Sequence, residues 1–589
     1  TPKMPGFSEA LTEQIQAAAI LVIHPGSRFL RIGRAADLSP LTVLHAIARR
    51  RKEGGRFYCD KLLPSVAKLD KEMQIETENC TEQLQNVLMS CLTSSGSRRT
   101  VTPLKQIIAL NKKVEGKQSV GNCKYLNVKD DVEYVAGDEA LSVNPHEKSG
   151  KYSGWNVHFP MKRGKLNIHS DVGGSLSSVL VDMETIWSHC ISEKLKIPLK
   201  DLKHYRAVLV IPVIYNRTHI KGMIHILLNQ LKFGGCFLIQ NSVAATFGAG
   251  IATACVVDVG DEKVSVSCVD DGLSQPETRL RLEYGGGDIT QVFHWLMKRA
   301  GFPYKSCSPE TNYYDAMLLT RLKEDLCHVN LDVCEAQETE FLVCDPESQH
   351  NIKYQFHTGD ECIMGPLAFF QTELCHITGP KKMVLHTFNK GDPEDPHDDN
   401  YLRETSRRGM KDAGDTGPSA DPTNPDCDGN QDDEMSAMDL ELTLGSAAGR
   451  DYEITCDKLL SIDQAILQSI DRCGSSYFLI VLCRVKLFVG SDDLKRKMYS
   501  CILVVGGGMH FHGIGTWLQN RLALQIPYAY RPEQMDIITR PKEMHPAMIA
   551  WKGASIMSCL ETAQELWINA REWNTYSVKI LREKAPFVW

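Results

Sequence analysis

Two stretches of the chain carry the same chemically suggestive pattern. Residues 19 to 33, AILVIHPGSRFLRIG, and residues 255 to 269, CVVDVGDEKVSVSCV, each run an apolar strand into a tight turn of glycine with small or acidic residues, then return along a second strand. Turn glycines let backbone N–H groups approach phosphate oxygens, and two opposed turns can grip a polyphosphate from both sides. One such turn alone is an ordinary hairpin. Its recurrence predicts two similar halves, each presenting one hairpin to a shared cleft. A further cluster, Gly506, Gly507 and Gly508 in ILVVGGGMHFHGIGTWL, follows an apolar strand and opens a helix. Such a bare backbone can carry a base or phosphate at a helix N-terminus, or simply permit close packing. The stretch LEYGGGDIT at 282 to 290 has the same two readings, with Asp288 as an N-cap the plainer one.

The elements that must hold these turns can be read from hydrophobic periodicity. Apolar runs at Ile20 to Ile23, Ala207 to Val213, Ala254 to Asp258, Val264 to Val269 and Ile502 to Val505 predict strands. They alternate with helical patterns at Val181 to Leu195, His219 to Leu231, Ile289 to Arg299 and Ser555 to Trp573. Strands separated by helices imply parallel crossovers and a layered α/β fold. At 589 residues the chain is too long for one core and predicts about four domain-sized units.

Composition excludes several classes. With 24% charged and 43% hydrophobic residues the chain is neither collagenous, coiled-coil nor wholly disordered. Its best apolar run, Tyr477 to Cys483, stops at Arg484, far short of a bilayer span. The first apolar stretch, Ala17 to Ile23, has no signal-peptide flanks, and the opening Thr1 reads as a truncated start. Twenty cysteines lie scattered without a CxxC pair, which favours buried free thiols in a reducing compartment over a zinc site.

The net charge of −7 is uneven, because residues 390 to 445 alone hold 16 acidic against 5 basic side chains. Poor in apolar residues and rich in proline, this segment is expected to be a disordered insertion. A second irregular region, about 49 to 130, opens with Arg49, Arg50, Arg51 and Lys52 and continues through Arg56, Arg98, Arg99, Lys112 and Lys113. The basic run is either a solvated face or a contact for the phosphate backbone of DNA.

Taken together, the two hairpins, IQNSVAATFGAG at 239 to 250, YGGGDIT at 284 to 290, VGGGM at 505 to 509 and IAWKGASIMSCLETAQELWINAREW at 549 to 573 resemble the actin family, in actin's order. IHPGSRFLRIGRA, YVAGDEALSVNP at 134 to 145, RGKLNIH at 163 to 169, GDPEDPH, ITRPKEM and the terminal FVW look most like its nuclear, chromatin-associated members. The resemblance implies a ribonuclease H-like duplicated α/β fold, with four subdomains around a nucleotide cleft and large insertions. After an N-terminal tail at 1–16, subdomain 1 would comprise 17–48, 134–248 and 541–589, and subdomain 2 would be 49–133. Subdomain 3 would comprise 249–284 with 501–540, and subdomain 4 would be 285–500.

ATP or ADP with Mg²⁺ is the implied cofactor. Gly26, Ser27 and Arg28 would contact phosphates from the first hairpin, Arg28 standing where actin has glycine. Asp258, Val259, Gly260 and Asp261 would form the second hairpin, and Gly506, Gly507 and Gly508 the adenosine side. Asp258 would hold Mg²⁺ through water. The aspartate that organises hydrated Mg²⁺ in actin-type first hairpins is His24 here, followed by Pro25, and the water-positioning histidine aligns with Ser265. Gln240 and Asp258 remain of the catalytic set, so hydrolysis should suffer more than binding.

The resemblance further implies a non-polymerising nuclear scaffold in the INO-eighty chromatin-remodelling complex. Its partners would be a helical segment of the remodeller motor subunit, nuclear actin, another actin-related protein, core histones and extranucleosomal DNA. The competing reading is an active ATPase or kinase of the wider superfamily. A sugar kinase would need a substrate-facing carboxylate, which no residue of this sequence identifies, and a chaperone ATPase an appended peptide-binding domain, whereas the residues after Gly508 resemble actin's own ending.

Overall fold

The computed structural model describes residues 16–121, 123–147, 152–346, 350–385, 455–456, 459–473, 491–585 and 588. The acidic segment 390–445, the apolar run Tyr477 to Cys483 and nearly all of the expected N-terminal tail lie outside the described residues.

Two sheets of the same design form the body. In the first, the strands run in the order Gly235–Gln240, Arg206–Ile211, Ile20–Pro25, Phe29–Arg34, Leu41–Leu44. In the second, the corresponding order is Asp536–Ile538, Cys501–Val505, Ala254–Val259, Val264–Asp270, Leu280–Leu282, extended by Met383–Leu385 and Thr455–Cys456. In both sheets the hairpin strands pair antiparallel, while the crossover strands join parallel. The expected duplication is therefore present at the level of strand order and direction, and all five predicted strands form. These central strands are nearly continuous apolar runs because both of their faces are covered.

Two helices, Asn241–Ala249 and Ile549–Ser558, lie between the sheets. Their side chains share one core with Ile20, Val22 and Val208 of the first sheet and Val256, Leu503 and Val505 of the second. Their crossing is made by glycines. A Cβ on Gly553 would sit 1.7 Å from the Ala244 carbonyl oxygen, and one on Gly248 would sit 2.2 Å from that of Ile549. Trp551, fully buried, ties this layer to the first hairpin by donating its indole N–H to the Val22 carbonyl at 3.1 Å. The single long helix expected over Ser555 to Trp573 is instead broken. It ends at Ser558, and a new helix, Ala570–Tyr576, starts behind an Asn569–Glu572 capping box.

The expected irregular region after residue 48 is more ordered than its composition suggested. Ile47–Lys52 is a strand, paired with Tyr134–Ala136 and Tyr152–His158. Beyond it the chain crosses to the second half and stays there through two helices, Lys71–Ser90 and Leu104–Asn111. Leu62, Leu63, Cys80, Leu84 and Leu88 enter the second half's core. Arg99, almost fully buried, forks onto Asp360 at 2.7 and 3.1 Å and also donates to the Leu331 and Val333 carbonyls. Asn111 donates to the Ala300 and His357 carbonyls, both at 2.9 Å. The strand Lys117–Ser119 joins the hairpin formed by Gln337–Asp345 and His350–Thr358. Cys123 is bonded to Cys344 there, a departure from the expectation of free thiols throughout, whereas most other described cysteines are free and buried. Spaced apolar residues in a basic, polar sequence sufficed because the second half supplied the matching surface.

Candidate functional site

Because the two sheets share one strand order, their hairpin turns occupy equivalent places, and residues pair across each hairpin in equivalent registers. His24 lies opposite Arg31 in the first and Asp258 opposite Ser265 in the second. The turns are tight: Gly26 N–H donates to the Phe29 carbonyl at 3.0 Å and Gly260 N–H to the Lys263 carbonyl at 2.8 Å. A Cβ on Gly26 would lie 2.7 Å from the Phe29 oxygen. His45 braces the first turn through a 2.9 Å contact between its Nδ1 and the Gly26 carbonyl.

The glycine clusters all converge on the second turn. Gly286 and Gly287 donate to the Gly260 and Asp261 carbonyls at 2.9 and 2.8 Å, and Gly508 donates to the Val259 carbonyl at 2.9 Å. Gly506, at φ +89°, and Gly508 approach the Val259 and Gly260 carbonyl oxygens so closely that a Cβ on either would stand 2.2 Å away. Close packing thus explains Gly506 and Gly508, whose neighbour Gly507 faces open space apart from Ala547. The side chain of Val259 belongs to the core. Asp288 is not the N-cap. The helix begins at Gly286, and Asp288, three residues in, accepts from Gly285 N–H while pairing with Lys381 at 2.7 Å.

Ser27, Arg28 and Asp261 face a cavity of about 410 Å³ whose opposite wall is the segment from Tyr58 to Ser65, where the chain crosses between the halves. This is within the range of small-molecule sites. Arg28 reaches across the cleft to Asp261 at 3.3 Å and to the Thr320 hydroxyl at 3.3 Å. Gln240 and Asn241 sit where a strand of the first sheet runs into the inter-sheet helix, and Asn241 donates to Asp258 at 2.7 Å. Several buried polar atoms have no protein partner: His24 Nδ1, Arg28 Nε, both ends of the Gln240 amide and Asn241 Oδ1. Buried polar groups are normally satisfied, so this concentration marks a place built for a polar ligand or water.

Burial governs the electrostatics around the two turns, where cations and carboxylates are paired. Burial, reinforced by Arg31, pushes the His24 imidazole down to about 3, so it stands neutral near pH 7. Burial also lowers the Arg31 guanidinium to about 10, against the pull of Asp258. Lys263 pairs with Asp258 at 3.1 Å. Lys323, buried on the helix Tyr313–Leu326, donates to the Gly286 carbonyl at 3.1 Å. Sequence reasoning passed over Lys263, Lys323 and His45. For Lys323 a signal existed: it falls on the stripe of Ala316, Leu319 and Thr320, where a lysine has no place on solvation grounds.

The donor set does not suit a hydrated Mg²⁺, which needs carboxylates to hold its waters. His24 stands where the first hairpin would need one, and the Oδ2 atom of Asp258, the expected metal residue, already accepts from Lys263 and Asn241. The basic run is not a free surface either. Arg49 pairs with Asp182, and Arg50 donates to the Val128 and Lys129 carbonyls while stacking on Trp155 at 4.7 Å. Arg51 bonds Ser153 and covers Phe57, leaving Lys52 as the exposed member.

Two halves of one strand order, hinged by a helix pair and closing hairpin turns on a common cleft, define the actin-like class of fold. The actin family model matches residues 15–476 and 481–586, and the chain belongs to the actin family. It is 48% identical over 584 residues to actin-related protein 8 of Aedes aegypti, covering 98% of this chain and 99% of that one. To the human actin-related protein 8 it is 42% identical over 608 residues, 98% of this chain and 93% of that one. Among solved structures it matches human actin-related protein Arp8 in its ATP-bound state, with a TM-score of 0.79, 39% identity and full coverage of both chains.

Proposed function

We propose that the protein is a nuclear, non-polymerising actin-related subunit of an INO-eighty-type chromatin-remodelling complex, and that it holds ATP or ADP between its hairpins with little or no turnover. The observation that carries the nucleotide reading is the pair of glycine turns with unpartnered buried polar atoms beside them, next to a cavity in which Ser27, Arg28 and Asp261 meet the crossing segment. The likeness to an ATP-bound relative supports it. Slow hydrolysis follows from His24 and Ser265 standing at positions that would otherwise orient metal and water. Bound nucleotide would then act mainly as a clamp between the halves, adding about 2.7 kcal/mol of stability at a hundredfold excess over its Kd.

Within the complex the protein would dock on the motor subunit beside nuclear actin and another actin-related protein. It would contact core histones and extranucleosomal DNA, supporting transcription and DNA repair. Thermal unfolding with and without ATP, alongside a turnover assay, tests the first part. A raised midpoint with negligible phosphate release is expected; turnover at the rate of a committed ATPase would reject the reading in favour of an active enzyme. Co-purification from nuclear extract tests the second. Lys52→Ala should weaken DNA binding at low salt, and unchanged affinity would dismiss the exposed end of the basic run as a contact.

A further inference from the structure

The misfit between the cleft and a hydrated metal ion has a structural counterpart in the chain's own cations. Two carboxylates flank the second turn, and each is already paired. Asp258 Oδ2 accepts from Lys263 Nζ at 3.1 Å and from Asn241 Nδ2 at 2.7 Å, and the same ammonium donates to Ser265 Oγ at 2.9 Å. Asp261 Oδ1 pairs with Arg28 at 3.3 Å. All four charged side chains are largely buried, between 10% and 17% exposed, so solvent screens them weakly. Arg31 and Lys263 both act on the neutral His24, and Asp258 acts on His24 and Arg31, so these groups lie within one another's field.

A divalent ion carried on a phosphate tail toward Asp258 would meet the Lys263 ammonium at the oxygen it needs. The phosphate itself would meet two cations that can exchange a carboxylate for it: Arg28, whose Nε has no partner, and Lys263. Such an exchange replaces one charge-assisted bond by another, while Asp258 keeps the Asn241 amide donor and Asp261 stays in the field of Lys323.

We infer that Lys263 and Arg28 take the place of the divalent cation, so that a nucleoside polyphosphate binds in this cleft without metal. The inference rests on the nucleotide reading above. It also accounts for a site that binds without efficient turnover, because a fixed ammonium neutralises charge but does not bridge the β- and γ-oxygens as the metal does.

The test uses the full chain, freed of nucleotide and titrated calorimetrically with ATP in excess EDTA and in excess magnesium chloride. The expected result is a Kd in EDTA within about threefold of that in magnesium. Lys263→Met should weaken binding in EDTA by about tenfold or more, with magnesium restoring part of it through the freed Asp258. Arg28→Gln, which frees Asp261, should likewise weaken binding more in EDTA than in magnesium. A wild-type affinity that falls tenfold or more in EDTA overturns the inference while leaving the nucleotide reading intact. Binding in neither buffer overturns both. The wild-type comparison needs no variant, so the outcome stands even if Lys263→Met fails to fold.

Discussion

Replacing Gly553 by alanine is a severe test of how the halves are joined. The added methyl carbon would stand 1.7 Å from the Ala244 carbonyl oxygen and 2.5 Å from the Gly248 nitrogen. Non-bonded carbon reaches its attractive minimum near ~3.5 Å, so the helices Asn241–Ala249 and Ile549–Ser558 must separate by about 1.8 Å. Both neighbours are backbone, and no rotamer change relieves the clash. The helices are packed between two sheets, so the shift opens voids around Val243, Ala245 and Trp551 while pressing the sheets apart. Overpacking with partial relaxation costs about 2–4 kcal/mol, against which alanine's helix propensity returns about 1 kcal/mol, leaving a net loss of about 1–3 kcal/mol.

Gly515, in the helix Ile514–Gln525, provides the contrast. There the nearest atom to an added Cβ is the movable Thr539 Cγ2 at 3.3 Å, and Gly515→Ala should be neutral or stabilising by up to about 1 kcal/mol. Urea denaturation of both variants, followed by tryptophan fluorescence, measures the difference. If Gly553→Ala proved as stable as Gly515→Ala, the claim that the inter-sheet contact depends on the missing side chain would be wrong.

Other expectations follow from the same geometry. Arg99→Ala strips a fork from a nearly buried Asp360, so it should cost about 3–5 kcal/mol and hasten limited proteolysis between residues 53 and 125, and Arg99→Lys should rescue little. His24, His45 and His294 are held neutral by burial, at about 3, 4 and 3, while the unfolded chain takes up protons on them below 6.5. Stability should therefore be full above that value and fall as the pH drops, His45 alone contributing about 3 kcal/mol of loss once the pH is below 4. A urea midpoint that stays flat between about pH 6.5 and 5, above the ordinary carboxylate range, would contradict this assignment. Gln240→Ala removes a buried amide with neither end bonded, so it should leave unfolding stability unchanged or raised while abolishing residual ATP turnover; a large destabilisation would mean the amide is structural.

The legible parts of the site were those written in local pattern. Hairpin turns announce themselves through an apolar strand, a glycine and a returning strand, and their recurrence at 20 to 33 and 254 to 267 already implies the duplication. Helix breaks were less legible, because Ser555 to Trp573 keeps an amphipathic period through the turn at Glu561–Leu566. The charged residues were least legible of all. Arg49 to Lys52 read as a free basic face because nothing local shows that Asp182, Trp155 and Ser153 return to meet them. Lys263 carries no local sign of its pairing with Asp258, which only the closed hairpin brings alongside.

The sequence by itself determined two α/β halves and two glycine-bearing hairpin turns, with His24 and Ser265 standing in their strands, since each is a matter of residue type within a short window. Only the tertiary structure decided that the excursion after residue 52 crosses the cleft and latches on the far half through Arg99, Asn111 and Cys123. It alone decided, too, that the glycines at 506 and 508 pack against the hairpin and that Arg28 and Lys263 pair with Asp261 and Asp258. The physical reason is common to all three. Turn geometry and hydrophobic period act over a few residues, whereas charge compensation and backbone approach join partners up to hundreds of residues apart, and their sign depends on what the fold brings alongside.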